Sequence, residues 1–294
     1  MIEITYGKKT EYNLSVALGF FDCLHAGHIA LIEEAKRLGN AAVFTFTNDI
    51  SPYLSKKGGY IYTYSERLIR LEELGVNAVI GARFDEDFKK TSPKDFLDTL
   101  FQSAKVESVV CGADYTFGAQ GEGNVEFLKK YCAEKGVKLS VVEKVFVKGE
   151  VASTTRAKEL LKSGEIEKLN ELLQSNYFVV GTVEKGEQNG SKIGFPTANI
   201  ELCGGQTRLK EGVYGGYVTL DGKKYKAIIN AGARPTLSSY KYKIECHLDG
   251  TFPDLYGKTV RAEFCFKIRD IRKFANLFEL KKQLEKDEKS FERL

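Results

Sequence analysis

The order of apolar and polar residues divides the chain into two regions of different periodicity. In the first region, short apolar runs alternate with segments whose apolar residues recur every three or four positions. Residues 41–46, for example, form an apolar run between the amphipathic segments 29–38 and 65–74. Because strands that alternate with helices build a parallel sheet covered on its faces, we predict an α/β fold here.

This first region is predicted to contain a five-stranded open sheet. The strands are expected at residues 14–20, 41–46, 78–80, 108–111 and 138–142. The helices between them are expected at residues 29–38, 65–74, 93–102 and 126–135. A further helical stretch is predicted over residues 154–173, where leucine and isoleucine lie on one face and lysine and glutamate on the other.

The pattern changes near residue 175 to short runs rich in Val, Tyr and Ile. Strands are predicted at residues 177–183, 215–220, 224–229, 242–248 and 259–268. Asp221–Gly222 predicts a tight hairpin, and five or six such strands favour a small closed antiparallel barrel. An amphipathic helix is predicted at residues 274–289. We therefore predict two domains, residues 1–175 and 176–294.

Composition and charge narrow the class of protein. The 294 residues exceed one ordinary core of about 100–150 residues, which agrees with two domains. No apolar stretch approaches about 18 residues and the start lacks a signal pattern, so we expect a cytoplasmic protein without membrane contact. The six cysteines form no Cys-x-x-Cys pair and are expected to be reduced. The net charge is −2 over residues 1–175 and +6 over residues 176–294, too little to indicate a nucleic-acid partner.

The first candidate site follows the opening strand, in the segment Gly19–His28, which reads GFFDCLHAGH. A loop between the first strand of an open α/β sheet and the next helix presents backbone N–H groups to phosphate. His25 and His28 are spaced to share one face and to hydrogen-bond a polyphosphate, and Gly27 lets phosphate approach the backbone. The His-x-x-His spacing alone also fits a pair of polar residues at a helix start, or half of a metal site. The remaining phosphate-binding candidates in this segment are Gly19, Phe20 and Asp22.

A second segment, Val151–Lys158, reads VASTTRAK at a predicted helix start. The hydroxyls of Ser153 and Thr154 can donate to phosphate there, and Arg156 adds a fixed fork of donors. The same pattern also fits an ordinary N-cap.

Together these residues resemble the nucleotidyltransferase superfamily with the His-x-Gly-His signature. The segment Gly112–Gly118, which reads GADYTFG, is similar to a flavin- and nucleotide-binding segment of the bacterial bifunctional riboflavin kinase/FMN adenylyltransferases. The resemblance implies a Rossmann-like nucleotidyltransferase sheet, catalytic roles for His25 and His28, and flavin contacts from Asp114, Phe117 and Asn124.

The segment Lys192–Asn199, which reads KIGFPTAN, carries the sharpest signal in the second region. Proline fixes a turn, and the Thr197 hydroxyl and Asn199 carbonyl that project from it are hard oxygen ligands suited to Mg²⁺ with an ATP phosphate. The segment resembles the Gly-x-Pro-Thr-Ala-Asn loop of riboflavin kinases, which places Lys192 and Gly194 against ATP.

The rest of the second region follows the riboflavin kinases in the same order. The matching segments are Gly212–Tyr214, Asn230–Thr236, Glu245–His247 and Asp254–Lys258. The resemblance implies a Greek-key, riboflavin-kinase-like barrel with a terminal helix. It assigns Glu245 as the general base for the ribityl 5′-hydroxyl and places Tyr214 and Arg234 against the flavin. Glu245 read in isolation also fits a surface strand residue paired with a lysine.

Three positions depart from the family pattern. Cys23 stands where glycine is usual, Asn48–Asp49 stand where a proline pair is usual, and Lys158 replaces an arginine. Because all three departures lie in the first region, they weaken the expectation of FAD synthesis more than that of FMN synthesis.

The resemblance implies an enzyme that phosphorylates riboflavin to FMN and adenylylates FMN to FAD, with Mg²⁺ as the cofactor of ATP. Its partners would be ATP, riboflavin, FMN and FAD, without nucleic acid or membrane, in a monomer or weak homo-oligomer. Two alternatives stay open at this point: a riboflavin kinase with a weakened adenylyltransferase module, and a regulatory protein that binds flavin or RNA.

Overall fold

The computed structural model describes residues 1–53, 59–184, 197–202, 204–236, 239–250, 252–272, 274 and 276–294. Within them the chain forms two compact units, Met1–Thr154 and Thr155–Leu294. This division precedes the helical stretch that follows Ser153, whereas the predicted domain boundary at 175/176 comes after it. The domain boundary stays a prediction.

The first unit contains a six-stranded sheet in which every pair is parallel. Its strands are β1 (Ile2–Thr5), β2 (Asn13–Leu18), β3 (Ala41–Phe46), β4 (Ala78–Ala82), β5 (Lys105–Gly112) and β6 (Lys138–Val142). The five predicted strands are β2 to β6. The edge strand β1 was not predicted, because Ile4 is its only buried residue and so it carries no apolar run.

Four helices cover this sheet and begin at polar N-caps. They are α1 (Ala26–Leu38), α2 (Tyr64–Glu73), α3 (Pro93–Ser103) and α4 (Val125–Glu134). Thr63 and Glu66 form a capping box at the start of α2, while Ser92 and Asn124 cap α3 and α4 through their side chains. Alternate residues of β3 bury on opposite faces of the sheet, with Phe44 in one apolar cluster and Val43 in the other.

The strand order β1-β4-β3-β2-β5-β6 fixes where a ligand can bind. The chain runs outward from β2 through β3 to β4, and then returns to β5 on the other side of β2. In open α/β sheets, ligands bind beyond the carboxyl ends of the strands at such a reversal. The loop after β2 therefore lies at the expected position. The hairpin β7 (Phe146–Val147) and β8 (Glu150–Val151) follows β6.

The stretch predicted as one helix over residues 154–173 is two helices, α5 (Thr154–Ser163) and α6 (Ile166–Leu173). Gly164 breaks it with φ +76°, a left-handed conformation that interrupts the hydrogen-bond ladder. A Cβ at Gly164 would lie 3.0 Å from the Lys210 Cβ, so glycine also permits close packing there.

The second unit contains a closed barrel in the order β10-β13-β12-β11-β14-β9, with antiparallel pairing throughout. Its strands are β9 (Tyr177–Glu184), β10 (Thr197–Glu201), β11 (Gly212–Leu220), β12 (Lys223–Thr236), β13 (Ser239–Leu248) and β14 (Thr259–Arg269). Asp221–Gly222 forms the predicted two-residue hairpin, with φ +48° and +77°. The turn predicted at Thr197 and Asn199 is instead strand β10, which pairs with both β9 and β13 and so closes the barrel.

The terminal helix α7 (Leu277–Glu288) starts three residues later than predicted, because Asn276 caps it by accepting a hydrogen bond from the Glu279 N–H. Asp287 is 2% exposed and binds the Arg269 guanidinium at the end of β14, with an Nη2–Oδ2 distance of 2.7 Å. This ion pair anchors α7 to the barrel. In the part of the chain that the structure describes, no helix combines the length and apolarity that a membrane span requires.

Candidate functional site

A cavity of ≈ 500 Å³ opens at the strand reversal of the first unit. This size suits a nucleotide or another small ligand. The predicted residues that line it are Gly19, Phe20, His25, Gly27, His28, Asp114, Ser153 and Thr154. The loops after β2 and β5 and the start of α5 thus meet in one place, as parallel strands with shared carboxyl ends require.

His25 is the N-cap of α1. Its Nδ1 accepts a hydrogen bond from the His28 backbone N–H at 3.3 Å, so the neutral ring carries its proton on Nε2. Burial lowers the pKa of His25 to about 4, which keeps the ring neutral at pH 7. Gly27 makes room for this ring, because a Cβ there would lie 3.0 Å from the His25 Cε1 atom.

The ring of His28 stacks on that of His25, with centroids 3.7 Å apart and an interplanar angle of 15°. Burial and the neighbouring His25 hold the pKa of His28 well below its usual value. The buried His28 Nδ1 has no hydrogen-bond partner among the residues described. The pair therefore presents neutral N–H donors, rather than imidazolium cations, to a ligand in the cavity.

The loop that carries these histidines has an unusual backbone. Phe21 and Leu24 adopt left-handed φ values of +54° and +53°, and both side chains are fully buried. Such conformations cost about 1–3 kcal/mol each and persist only where the surroundings impose them. At Gly19 a Cβ would lie 2.9 Å from the Phe21 ring, so glycine there permits the turn.

Three predicted residues of the first unit lie outside the cavity lining. Asp22 is 1% exposed and its Oδ1 accepts a hydrogen bond from the Ile61 N–H at 2.8 Å. Phe117 is buried in the apolar core against Phe96, and Asn124 caps α4. Their assignments to the nucleotide or the flavin stay predictions.

The cavity is also lined by residues that the sequence did not identify as candidates. Tyr115 and Thr116 line it from the loop after β5, and Lys144 lines it from the loop after β6. Lys144 Nζ lies 3.2 Å from Asp114 Oδ2, which balances the charge at the cavity rim. No motif marks Lys144 in the sequence, because its place depends only on how β6 ends.

The departures from the family pattern have separate structural places. Asn48 bridges to Phe84, donating to its carbonyl oxygen and accepting from its N–H at 2.8 Å each. Asn48 thereby ties together the ends of β3 and β4, while Asp49 lines a smaller cavity nearby. Arg156 and Lys158 lie in the second unit, within the first two turns of α5.

In the second unit, strand register brings the predicted kinase residues together. Asn199 on β10 lies directly opposite Glu245 on β13, and Asn230 on β12 lies opposite Glu245 from the other side. Directly opposite residues in antiparallel pairs project from the same face with Cβ atoms about 4.5–5.5 Å apart. Asn199 and Glu245 are 5% and 7% exposed. Three polar side chains therefore form one row across three strands.

Thr197 and His247 form a neighbouring row on the same face, because they are directly opposite and two residues from Asn199 and Glu245. His247 Nε2 lies 3.1 Å from Glu288 Oε1, and Lys226 Nζ donates to the Phe291 carbonyl at 2.8 Å. The C-terminal segment therefore packs on the face that carries Glu245.

Asn230 is a further candidate. It belongs to the segment that resembles the riboflavin kinases, but the sequence alone gives it no role. Its buried Oδ1 has no hydrogen-bond partner among the described residues. The Thr197 hydroxyl and the Asn199 amide oxygen, both on β10, supply hard oxygen donors of the kind Mg²⁺ prefers, whereas Asn230 lies two strands away on β12. The residues present thus fit a magnesium ion that binds together with ATP phosphates.

The remaining predicted residues of this unit do not join the row that contains Glu245 in the described part of the chain. Tyr214 is fully buried, donates its hydroxyl to the Lys210 carbonyl at 2.7 Å, and lies opposite Ile229, so its side chain projects from the other face than that of Asn230. Arg234 belongs to β12, where only its backbone is described. Lys192 and Gly194 lie outside the described residues.

Comparisons with known proteins match both halves of the chain. The family model described as FAD synthetase matches residues 7–156, and the one described as riboflavin kinase matches residues 173–294. The bifunctional riboflavin kinase/FMN adenylyltransferase of Listeria monocytogenes is 33% identical over 97% of this chain and 93% of the relative. The enzymes of the same description from Bacillus subtilis and Escherichia coli K12 are 31% and 32% identical, over 95% and 93% of this chain and 92% and 90% of their own lengths.

Among solved structures, the chain is similar to a protein from Streptococcus pneumoniae described as a macrolide-efflux protein. The two share 27% sequence identity with a TM-score of 0.87, and the match covers 100% of each chain. The similarity therefore extends over the α/β unit and the barrel unit alike.

Proposed function

The chain belongs to the bifunctional riboflavin kinase/FMN adenylyltransferase family, and from this premise we propose which of its residues carry each of the two reactions. The second half phosphorylates riboflavin with ATP to give FMN. The first half transfers the adenylyl group of ATP to FMN and so forms FAD and pyrophosphate.

The row formed by Asn199, Glu245 and Asn230 carries the proposal for the kinase reaction. A hydroxyl that attacks phosphorus must be oriented and must lose its proton as the new bond forms. The Glu245 carboxylate accepts that proton from the ribityl 5′-hydroxyl. Asn230 flanks it on β12 and holds the position of the acceptor oxygen, while Asn199 flanks it on β10.

Thr197 and Asn199 are proposed to hold Mg²⁺ together with the phosphates of ATP. When bound, Mg²⁺ offsets the negative charge that the phosphoryl group carries during transfer. The hydroxyl, amide and carboxylate oxygens on one strand face support this assignment. Lys192 and Gly194 remain assigned to ATP by resemblance alone.

For adenylyl transfer, His25 and His28 are proposed to donate hydrogen bonds to the triphosphate of a second ATP. Their low pKa values mean that donation comes from neutral imidazole, while the start of α1 adds its N–H groups and partial positive charge. The FMN phosphate attacks the α-phosphorus and pyrophosphate leaves, without a covalent enzyme intermediate. Ser153, Thr154 and Arg156 are proposed to bind the same phosphates.

Three broader assignments belong to the same proposal. We place the domain boundary near residue 175, supported by family matches that end at 156 and begin at 173. We place the enzyme in the cytoplasm because both reactions consume ATP. A monomer or weak homo-oligomer without a nucleic-acid partner stays the prediction for its assembly.

Glu245→Gln tests the assignment of the kinase reaction. The substitution preserves shape but removes the proton acceptor, so FMN formation from riboflavin, ATP and Mg²⁺ should fall at least about 10²-fold. Conversion of added FMN to FAD should keep its rate. Chromatography of flavin products measures both steps, and Glu201→Gln at the exposed end of β10 is the matched control.

Any other combination of flavin products, from the unmodified enzyme or the variant, would reject part of the proposal. FMN without FAD from the unmodified enzyme would support the alternative of a weakened adenylyltransferase, and neither product would support a binding protein. Loss of both activities in a folded Glu245→Gln variant would contradict the division of the two reactions between the halves.

A further inference from the structure

Cys23 places a thiol beside the two histidines of the first unit. Its side chain is 1% exposed, and its Sγ lies 3.9 Å from the hydroxyl oxygen of Thr154, a residue that lines the cavity. One sulfur and one nitrogen from each of His25 and His28 all lie within 4.8 Å of one another.

We propose that Cys23, His25 and His28 form a binding site for a thiophilic divalent cation of the Zn²⁺ class, and that the bound cation blocks adenylyl transfer. Thiolate and imidazole ligands select zinc over the hard cations Mg²⁺ and Ca²⁺, which prefer oxygen. Three protein ligands leave the fourth tetrahedral position for water or a phosphate oxygen.

Coordination requires the two imidazole rings to leave their stacked arrangement. Around a tetrahedral zinc ion, sulfur and nitrogen ligands lie about 3.6 Å apart and two nitrogens about 3.3 Å apart. Ligand atoms within 4.8 Å of one another reach those separations when the His25 and His28 rings rotate about their side-chain bonds and unstack, because the in-plane lone pairs of parallel rings do not meet at one ion. Because β2 and the start of α1 already hold the three residues together, little chain entropy is lost on binding.

Binding has two chemical consequences for the cavity. The Cys23 thiol loses its proton to solvent as the sulfur–metal bond forms, and no other covalent bond breaks. The hydrogen bond from the His28 N–H to the His25 Nδ1 is lost if Nδ1 coordinates, or if Nε2 coordinates and Nδ1 takes the proton. A single capping bond is weak beside three metal–ligand bonds. Each ring keeps one N–H, but the ion holds the rings out of their stacked arrangement, so these N–H groups no longer converge on the triphosphate.

Cobalt titration of the full-length protein without ATP tests the site directly. Co²⁺ bound in this donor set should give visible d–d bands and a thiolate-to-cobalt charge-transfer band, and added Zn²⁺ should abolish both. Cys23→Ser should lose the charge-transfer band, and Cys23→Ala provides the same test if serine disturbs the buried position. Cys265→Ser, which removes a partly exposed thiol of the second unit, should leave every band unchanged.

The inference rests in part on the proposed function, so its consequence is measured separately. With free Zn²⁺ set by a metal buffer in excess Mg–ATP, FAD formation from FMN should be inhibited while FMN formation from riboflavin continues. Half-inhibition in Cys23→Ser should need a more than about tenfold higher Zn²⁺ concentration, since loss of even an outer-shell partner costs that much affinity.

The outcomes separate the two proposals. Absence of cobalt bands, or bands that persist in both Cys23 variants, would overturn the metal site whatever the enzyme produces. Bands that depend on Cys23 in a protein that makes no FAD would leave the metal site standing and reject the proposed adenylyl transfer. Equal inhibition of unmodified enzyme and Cys23→Ser would reject the inhibitory role.

Discussion

The cavity of the first unit and the strand face of the second hold their functional groups by different means. His25 and His28 follow a loop in which Phe21 and Leu24 take left-handed conformations. Asn199, Glu245 and Asn230 instead lie opposite one another on hydrogen-bonded strands. A ladder of backbone hydrogen bonds fixes register collectively, whereas a strained loop depends on a few side chains. The loop site should therefore tolerate fewer substitutions near its functional groups.

The largest effect is expected from His28→Ala, which alters the loop after β2 that carries His25 and His28. The substitution removes one donor and the ring that stacks on His25 at 3.7 Å, so FAD formation from added FMN should fall about 10²- to 10³-fold. FMN formation from riboflavin should be unchanged. Flavin chromatography measures both rates, and His247→Ala is the control for FAD formation. Retained FAD formation, or a parallel loss of both activities, would contradict the placement of His28.

Asp287→Ala tests whether the strand site depends on the anchored C-terminal helix. Removing one partner of the ion pair leaves the partly exposed Arg269 guanidinium without its carboxylate, so the free energy of unfolding of the second unit should fall by about 1.5–3 kcal/mol. FMN formation should weaken while FAD formation from FMN persists. Denaturant unfolding followed by circular dichroism suits a chain with 0 tryptophans.

Two further variants sharpen that result. Asp270→Ala removes an exposed partner of Lys267 and should leave the stability of the second unit nearly unchanged. Asp287→Asn keeps an acceptor for Arg269 and should lose less stability than alanine. Equal stability of Asp287→Ala and the unmodified protein would mean that the helix is held by other contacts.

Acid is expected to act again on the loop that carries His25. The pKa of His25 is lowered to about 4 from the ordinary 6.5, so between these pH values the unfolded state binds a proton that the folded state excludes. Stability of the first unit should therefore be fully present above pH 6.5 and fall by up to about 3 kcal/mol as pH drops to 4.

His25→Gln isolates this contribution, because it removes the ring while other groups continue to titrate. Unfolding free energies at several pH values should fall less steeply with acid in the variant than in the unmodified protein. Identical slopes would show that His25 is not protonated differently in the two states.

Elements with a clear local signal were predicted closely. The boundaries of β3 and β6 match the predicted ones, since each begins shortly after a glycine that ends the preceding helix, and Asp221–Gly222 forms the expected hairpin. Strand β10 was missed because Pro196 and Thr197 indicate a turn locally. Its strand conformation comes from pairing with β9 and β13, which is a tertiary effect.

The candidate sites show the same limit. A motif predicts that His25 and His28 come together, but not that His25 caps the helix or that the rings stack. Asn124 and Phe117 belong to a recognisable segment, yet a side chain in it can serve the fold as easily as a ligand. Asn230 became visible only when register set it beside Glu245.

The assignment of the two candidate sites to separate compact units bears on how a cell balances its two flavin products. Substitutions near β10 and β13 would alter the total supply, whereas substitutions in the loop after β2 would alter the share that proceeds to the dinucleotide. Selection, or an engineer, can thus adjust yield and product ratio through different positions of a single polypeptide.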